Sequence, residues 1–235
     1  MQERHVAQAF QEVLFDKVAE GERAAFLQRV YGVLPKAKAD DAVGTQNEIR
    51  SQLLKSGKPA YVPETFVDFD HAHRLVLALG GIPCYPTLAD GATPITEYEA
   101  SPDALIADLL ARGIVCAEFV PNRNTPEVLS RYVHAMRRAG LFVTAGTEHN
   151  TLDLLPLAPT CLGGALIPKD VQDIFWEGAC VLVAHQYLTL LDRPGFVDGA
   201  GLPDPSYPTD DARIEAYRAL GAAVLARYEE EKIQR

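Results

Sequence analysis

The sequence predicts an α/β fold built on a parallel sheet, either open or closed into a barrel, and three observations carry that prediction. A helix-then-strand pattern recurs three times between residues 70 and 145. Successive strands begin about 30 residues apart, the length of one helix-plus-strand unit of a parallel sheet with right-handed crossovers. The composition, 48% hydrophobic and 23% charged, is that of a packed globular chain and not a disordered one.

The elements follow in order. Residues 70–79 (DHAHRLVLAL) read as a helix stopped by Gly80-Gly81, and residues 82–85 as a short strand. Ser101 is placed as an N-cap with Pro102 at the first helical position, and Leu105, Ile106, Leu109 and Leu110 form an apolar stripe. Gly113 ends that helix and residues 114–120 form the next strand. Thr125 and Pro126 repeat the cap, with Val128, Leu129, Tyr132, Val133 and Met136 on one face, and Gly140 precedes a strand over residues 141–145. The first 54 residues are mainly helical by pattern and supply no convincing strand. From Asp170 onward, two helical stretches surround a Gly- and Pro-rich loop, residues 193–208; the last helix, capped near Thr209, is expected to bury Ile214, Tyr217, Leu220, Val224 and Tyr228. The chain divides by pattern into a helical cap or insertion (1–55), an α/β core (56–192) and a loop with a C-terminal helix (193–235).

A net charge of −10 and a pI near 5.1 argue against a nucleic-acid-binding surface, which needs a basic stripe. No uninterrupted apolar run approaches the roughly 18 residues of a membrane span, and the N-terminus has no signal-peptide core, so a cytoplasmic protein is expected. The four cysteines, Cys84, Cys116, Cys161 and Cys180, are scattered without a Cys-x-x-Cys pair, which disfavours a zinc site or a disulfide framework. Cys84 and Cys116 fall within apolar runs and read as small hydrophobes.

The polar residues at strand ends are the candidates for chemistry, because that rim is where parallel α/β folds gather reacting groups. The strand over 141–145 runs directly into Gly146-Thr147-Glu148-His149-Asn150, a carboxylate, an imidazole and an amide side by side. The alternative is a capped turn satisfied by its own side chains. Glu118 interrupts an apolar strand, so its carboxylate must be paired, metal-bound or on an exposed face. Asn122, Arg123 and Asn124 follow on the same rim, and the planar fork of Arg123 suits a phosphate or carboxylate. Tyr85, beside Pro86 at a strand end, could donate its phenol to a bound anion. Asp90 reads as a turn residue, and His185 as a buried, hydrogen-bonded core histidine.

From His5 to about Asn150 the chain resembles the polymerase-and-histidinol-phosphatase (PHP) superfamily, in particular its small phosphoesterases. The pieces that carry the resemblance are ordered: Arg4-His5-Val6-Ala7, the segment GKPAYVP at 57–63, Gly80-Gly81-Ile82 leading to a Pro, Gly113-Ile114 leading to Glu118, and Gly146-Thr147-Glu148. The resemblance implies a distorted (β/α)7 TIM-like barrel, or an incomplete part of one. It also implies a cluster of divalent metals (Mn, Fe or Zn) at the C-terminal strand ends that hydrolyses phosphate esters. Glu148, His149 and Glu118 would be the metal ligands; Glu148 and His149, with Arg123, the catalytic groups; Asn122, Asn124, Asn150 and Tyr85 the contacts to a small anionic substrate.

The chain departs from that pattern in three places. The family's first His-x-His motif would lie upstream of Met1, and His71 and His73 are no replacement, since residues two apart on a helix point to different sides. Tyr85 stands before Pro86 where the family places a ligand histidine. Glu148-His149-Asn150 replaces an Asp-x-His. The expectation is a metal-dependent phosphoesterase-type hydrolase whose missing ligands come from an upstream segment or another chain, with a homodimer as one route. The rival is a binding or interaction module that has lost its metals and needs no cofactor.

Overall fold

The structure, a computed structural model, describes residues 3–63, 65–89, 95–147 and 156–233. The described residues form two compact units, one of residues up to 66 and a larger one of the rest.

The first unit is helical, as its pattern requires. Helices α1 (Glu3–Lys17), α2 (Glu20–Tyr31) and α3 (Ala42–Ile49) follow one another, and α3 runs on into a π-helical turn, Arg50–Leu54. Gly32 ends α2 in the left-handed conformation at φ 76°, which only glycine adopts without cost. Asp41 caps α3 by accepting the Gly44 N–H at 2.8 Å. Ala7, Ile49 and Leu53 form the core of this unit. Arg23 ties its loops down by donating to the carbonyls of Phe15, Val18 and Ala39 while stacking over the Phe15 ring.

The second unit is the α/β body. Its elements are α4 (Phe69–Ala78), β1 (Cys84–Pro86), α5 (Pro102–Ala111), β2 (Cys116–Phe119), α6 (Pro126–Arg138), β3 (Phe142–Ala145), α7 (Lys169–Thr189) and α8 (Asp210–Ile233). Among the described residues the sheet has three strands in the order β1-β2-β3, all parallel, with Cys84, Tyr85 and Pro86 opposite Cys116, Ala117 and Glu118, and these opposite Phe142, Val143 and Thr144. The three helix–strand repeats of the sequence are therefore the fold itself. Ser101 and Thr125 cap α5 and α6 with their hydroxyls, each with proline in the first turn, and Gly113 and Gly140 turn the chain at positive φ after the helices.

Side chains alternate across the strands, so the register sorts the sheet into two faces. Tyr85, Ala117, Phe119, Val143 and Ala145 face a core made with Leu105, Leu109, Leu129 and Tyr132 of α5 and α6. On the other face Cys116 and Phe142 pack with Val181 and Ala184 of α7, Phe196 of the following loop, and Ile214 and Tyr217 of α8. Helix α7 closes the outer edge of β3: a Cβ on Gly178 would sit well inside contact with the Val143 carbonyl oxygen, so only glycine permits the approach.

Three expectations change. The strands cover Cys84–Pro86, Cys116–Phe119 and Phe142–Ala145, so β2 and β3 are shorter than their apolar runs and β1 starts two residues later than its run. Leu110, on the last turn of α5, is 41% exposed, so the stripe of that helix narrows to Leu105, Ile106 and Leu109. Tyr228 is 59% exposed, because α8 runs on past the residues that pack; Ile214 and Tyr217 are buried and Leu220 lies at the margin of the core. His185 is the core histidine the sequence suggests. Its Nε2 lies 2.9 Å from the Gly80 carbonyl, and its Nδ1 accepts the Phe196 N–H at 2.9 Å, a pairing that selects the Nε2–H tautomer. Among the described residues no helix is long and apolar enough to cross a membrane.

Candidate functional site

At the C-terminal ends of β2 and β3, Glu118 lies against Gly146, and Asn122 lines a cavity with Gly146 and Thr147; Tyr85 at the end of β1 points to the other face of the sheet. Glu118 is the penultimate residue of the central strand, on the face where Thr144 is its ladder partner, and it is exposed. The strand thus carries a carboxylate without burying it, the third of the outcomes its sequence context allowed. Gly146 lies beside it. A Cβ there would lie 2.7 Å from Glu118 Oε1, while the Gly146 N–H continues the ladder to the Phe119 carbonyl at 2.8 Å.

Asn122 and Arg123 occupy a 3-10 turn, Pro121–Arg123, directly after β2. Asn122 is exposed and lines a small cavity of about 50 Å³ with Gly146, Thr147, Pro156 and Thr160. Arg123 is half-buried at the end of the turn. Asn124 is 1% exposed; its Nδ2 donates to the Val120 carbonyl at 3.2 Å, its backbone carbonyl accepts the Leu162 N–H, and its Oδ1 is buried without a hydrogen-bond partner. The backbone of Asn124 joins the rim to the segment after 160, and among the described residues its side-chain oxygen has no hydrogen-bond partner.

Tyr85 is committed elsewhere. Its hydroxyl donates to Glu99 Oε1 at 2.8 Å, and burial together with that carboxyl pushes the phenol well above its ordinary value. Glu99 is the residue that sequence reasoning missed. It lies in a turn that reads as a surface loop, yet it is 1% exposed. Its Oε1 also accepts the Leu88 N–H at 2.9 Å, and its carbonyl accepts the Tyr132 hydroxyl at 2.5 Å. Among the described residues, Oε2 of Glu99 and Oγ1 of Thr87 are both buried without a hydrogen-bond partner. No local signal marks Glu99, because a glutamate is almost never fully buried and its partners come from β1 and α6.

Glu148, His149, Asn150 and Asp90 lie outside the described residues. His71 and His73 sit on α4, where the His73 ring packs against Phe69 at 5.6 Å, so the rejected His-x-His pair stays outside the rim. Among the described residues no three His, Cys, Asp or Glu side chains converge in a way that could hold a metal ion. Of the ligands the resemblance implies, Glu118 is the one within the described residues, and its carboxylate is exposed. No family model, no curated protein and no solved structure matches the chain.

Proposed function

We propose that this chain is a PHP-like, metal-dependent phosphoesterase-type hydrolase, or the part of one that carries the later strands of a distorted (β/α)7 barrel. The observation that supports the reading is the exposed carboxylate of Glu118, which lies beside Gly146, two residues before Glu148. A carboxylate and an Asn-Arg turn on one rim of a parallel sheet suit an anionic substrate. In this reading Glu118, Glu148 and His149 hold a divalent ion (Mn, Fe or Zn), which when bound supplies Lewis acidity to a phosphoryl oxygen. Arg123 fixes the phosphoryl group through its fork, Asn122 orients it, and Glu148 and His149 hold the attacking water in place. The substrate is a small phosphate monoester.

Metal analysis with hydrolysis of p-nitrophenyl phosphate tests this. Wild-type protein grown with Mn, Fe and Zn is expected to hold about one equivalent or more of metal, and Glu118→Gln, Glu148→Ala and His149→Ala each to lower both content and rate by tenfold or more. Less than a tenth of an equivalent in wild type overturns the reading for the chain alone. A second reading has its own support: Tyr85, at a position where the PHP pattern has a ligand histidine, spends its hydroxyl on Glu99. It makes the chain a metal-free binding module for small anions, which predicts saturable binding of inorganic phosphate lost in Arg123→Ala, with no hydrolysis.

A further inference from the structure

Cys84 and Cys116 are direct partners in the β1–β2 ladder and project to the same face, and their sulfurs lie 3.1 Å apart. The spacing of neighbouring strands, about 4.8 Å, falls within the Cα separation of about 4.4–6.8 Å that disulfides span. Bond formation therefore asks the sulfurs to close by roughly 1 Å, to the covalent length of about 2.05 Å, with the strand register kept. The two thiols differ in access: Cys84 is exposed and lines a cavity of about 370 Å³ with Phe69, Pro86 and Arg112, whereas Cys116 is 1% exposed. Cys161 and Cys180 are both buried, and no bond between them and this pair is seen.

We propose that Cys84 and Cys116 form a peroxide-reactive dithiol, in which Cys84 is the attacking thiol and Cys116 the resolving one. The Cys84 sulfur, as thiolate, attacks one oxygen of a hydroperoxide. The O–O bond breaks, Cys84 becomes a sulfenic acid, and the other oxygen leaves as water or alcohol with the thiol proton. The Cys116 sulfur then attacks the Cys84 sulfur, the S–O bond breaks, and the hydroxyl leaves as water with the Cys116 proton. The sum is two thiols and one hydroperoxide giving one disulfide and two molecules of water (or one of water and one of alcohol), with the two sulfurs oxidised and the peroxide reduced. The product joins β1 to β2 one ladder step before the level of Tyr85 and two before Glu118, so it ties together the two strands that carry part of the rim.

The test is treatment of the dilute, reduced full-length protein with hydrogen peroxide, followed by intact mass and non-reducing peptide mapping. The expected product has lost the mass of two hydrogens, contains Cys84 linked to Cys116, and titrates half of its four thiols. A phosphine reductant restores all of them. In Cys116→Ser the same treatment leaves Cys84 as a sulfenic acid trapped by dimedone, at a level at least tenfold above wild type. Over-oxidised Cys84 with no Cys84–Cys116 peptide in wild type overturns the proposal, as does a bridge between two copies through Cys84. Wild-type mapping decides the matter alone should Cys116→Ser fail to fold.

Discussion

Tyr85→Phe removes one oxygen and leaves the ring in place, including its edge contact with Tyr98 at 6.2 Å between centroids. What is lost is the 2.8 Å bond to Glu99 Oε1. That oxygen keeps the Leu88 N–H at 2.9 Å, but the carboxyl is 1% exposed and its other oxygen already has no hydrogen-bond partner, so solvent cannot make up the loss. Weakening a buried acceptor in this way costs about 1–3 kcal/mol. For a chain of this size that is about 2–4 °C of Tm per kcal/mol, so a fall of roughly 6 °C is expected near the middle of the range. Differential scanning calorimetry at neutral pH measures it. A shift below about 1 °C would refute the argument, because it would mean that the hydroxyl is not anchored on Glu99 and is available to a ligand on the rim. Phosphate binding by Tyr85→Phe gives a second view: a phenol held by Glu99 predicts an affinity unchanged within about twofold.

Two further outcomes follow from packing and burial. Gly178→Ala places a methyl group against the Val143 carbonyl, with the carbonyl carbon 2.8 Å away; overpacking of this kind costs about 1–3 kcal/mol and exceeds the helix-propensity gain of up to about 1 kcal/mol, whereas Gly21→Ala in α2, with nothing within 4 Å, keeps the gain. Chemical denaturation should show opposite signs for the two, and equal stabilisation would disprove the close approach of α7 to β3. Tyr217 donates its hydroxyl to the Gly195 carbonyl at 2.6 Å, and burial, with Tyr207 and Asp204 nearby, pushes its phenol up to about 12. The folded value lies above the ordinary one of about 10, so this contribution to stability is whole below pH about 10 and is lost as the pH rises through about 12. Wild type should lose stability more steeply than Tyr217→Phe across that window, and parallel profiles would count against the buried phenol.

Much of the fold is legible in local chemistry. Ser101-Pro102 and Thr125-Pro126 announce helices because a hydroxyl cap and a fixed φ act within one turn, and Gly113 and Gly140 announce their ends because the left-handed turn excludes side chains. The apolar runs between those signals have to be strands of a parallel sheet. His185 also reads correctly, since an imidazole in an apolar helical stretch has to find partners. The rim is only partly legible. Its location follows from strand polarity, and Glu118 stands out by interrupting an apolar run, but the fates of Tyr85 and Asn124 do not show in their own neighbourhoods.

By itself, then, the sequence determined the class of fold, the order of its helices and strands, and the end of the sheet at which polar groups collect, because capping, turn conformation and hydrophobic period are properties of neighbouring residues. Tertiary structure alone decided what each polar group touches. Glu99 is buried because β1 and α6 close over it, Tyr85 is occupied because Glu99 is there, and Gly178 is required because α7 crosses the edge of β3. Cys84 meets Cys116 only through the ladder register, across an interval of 32 residues. Those contacts depend on the spacing of elements distant along the chain, and that spacing is set by how all the side chains between them pack.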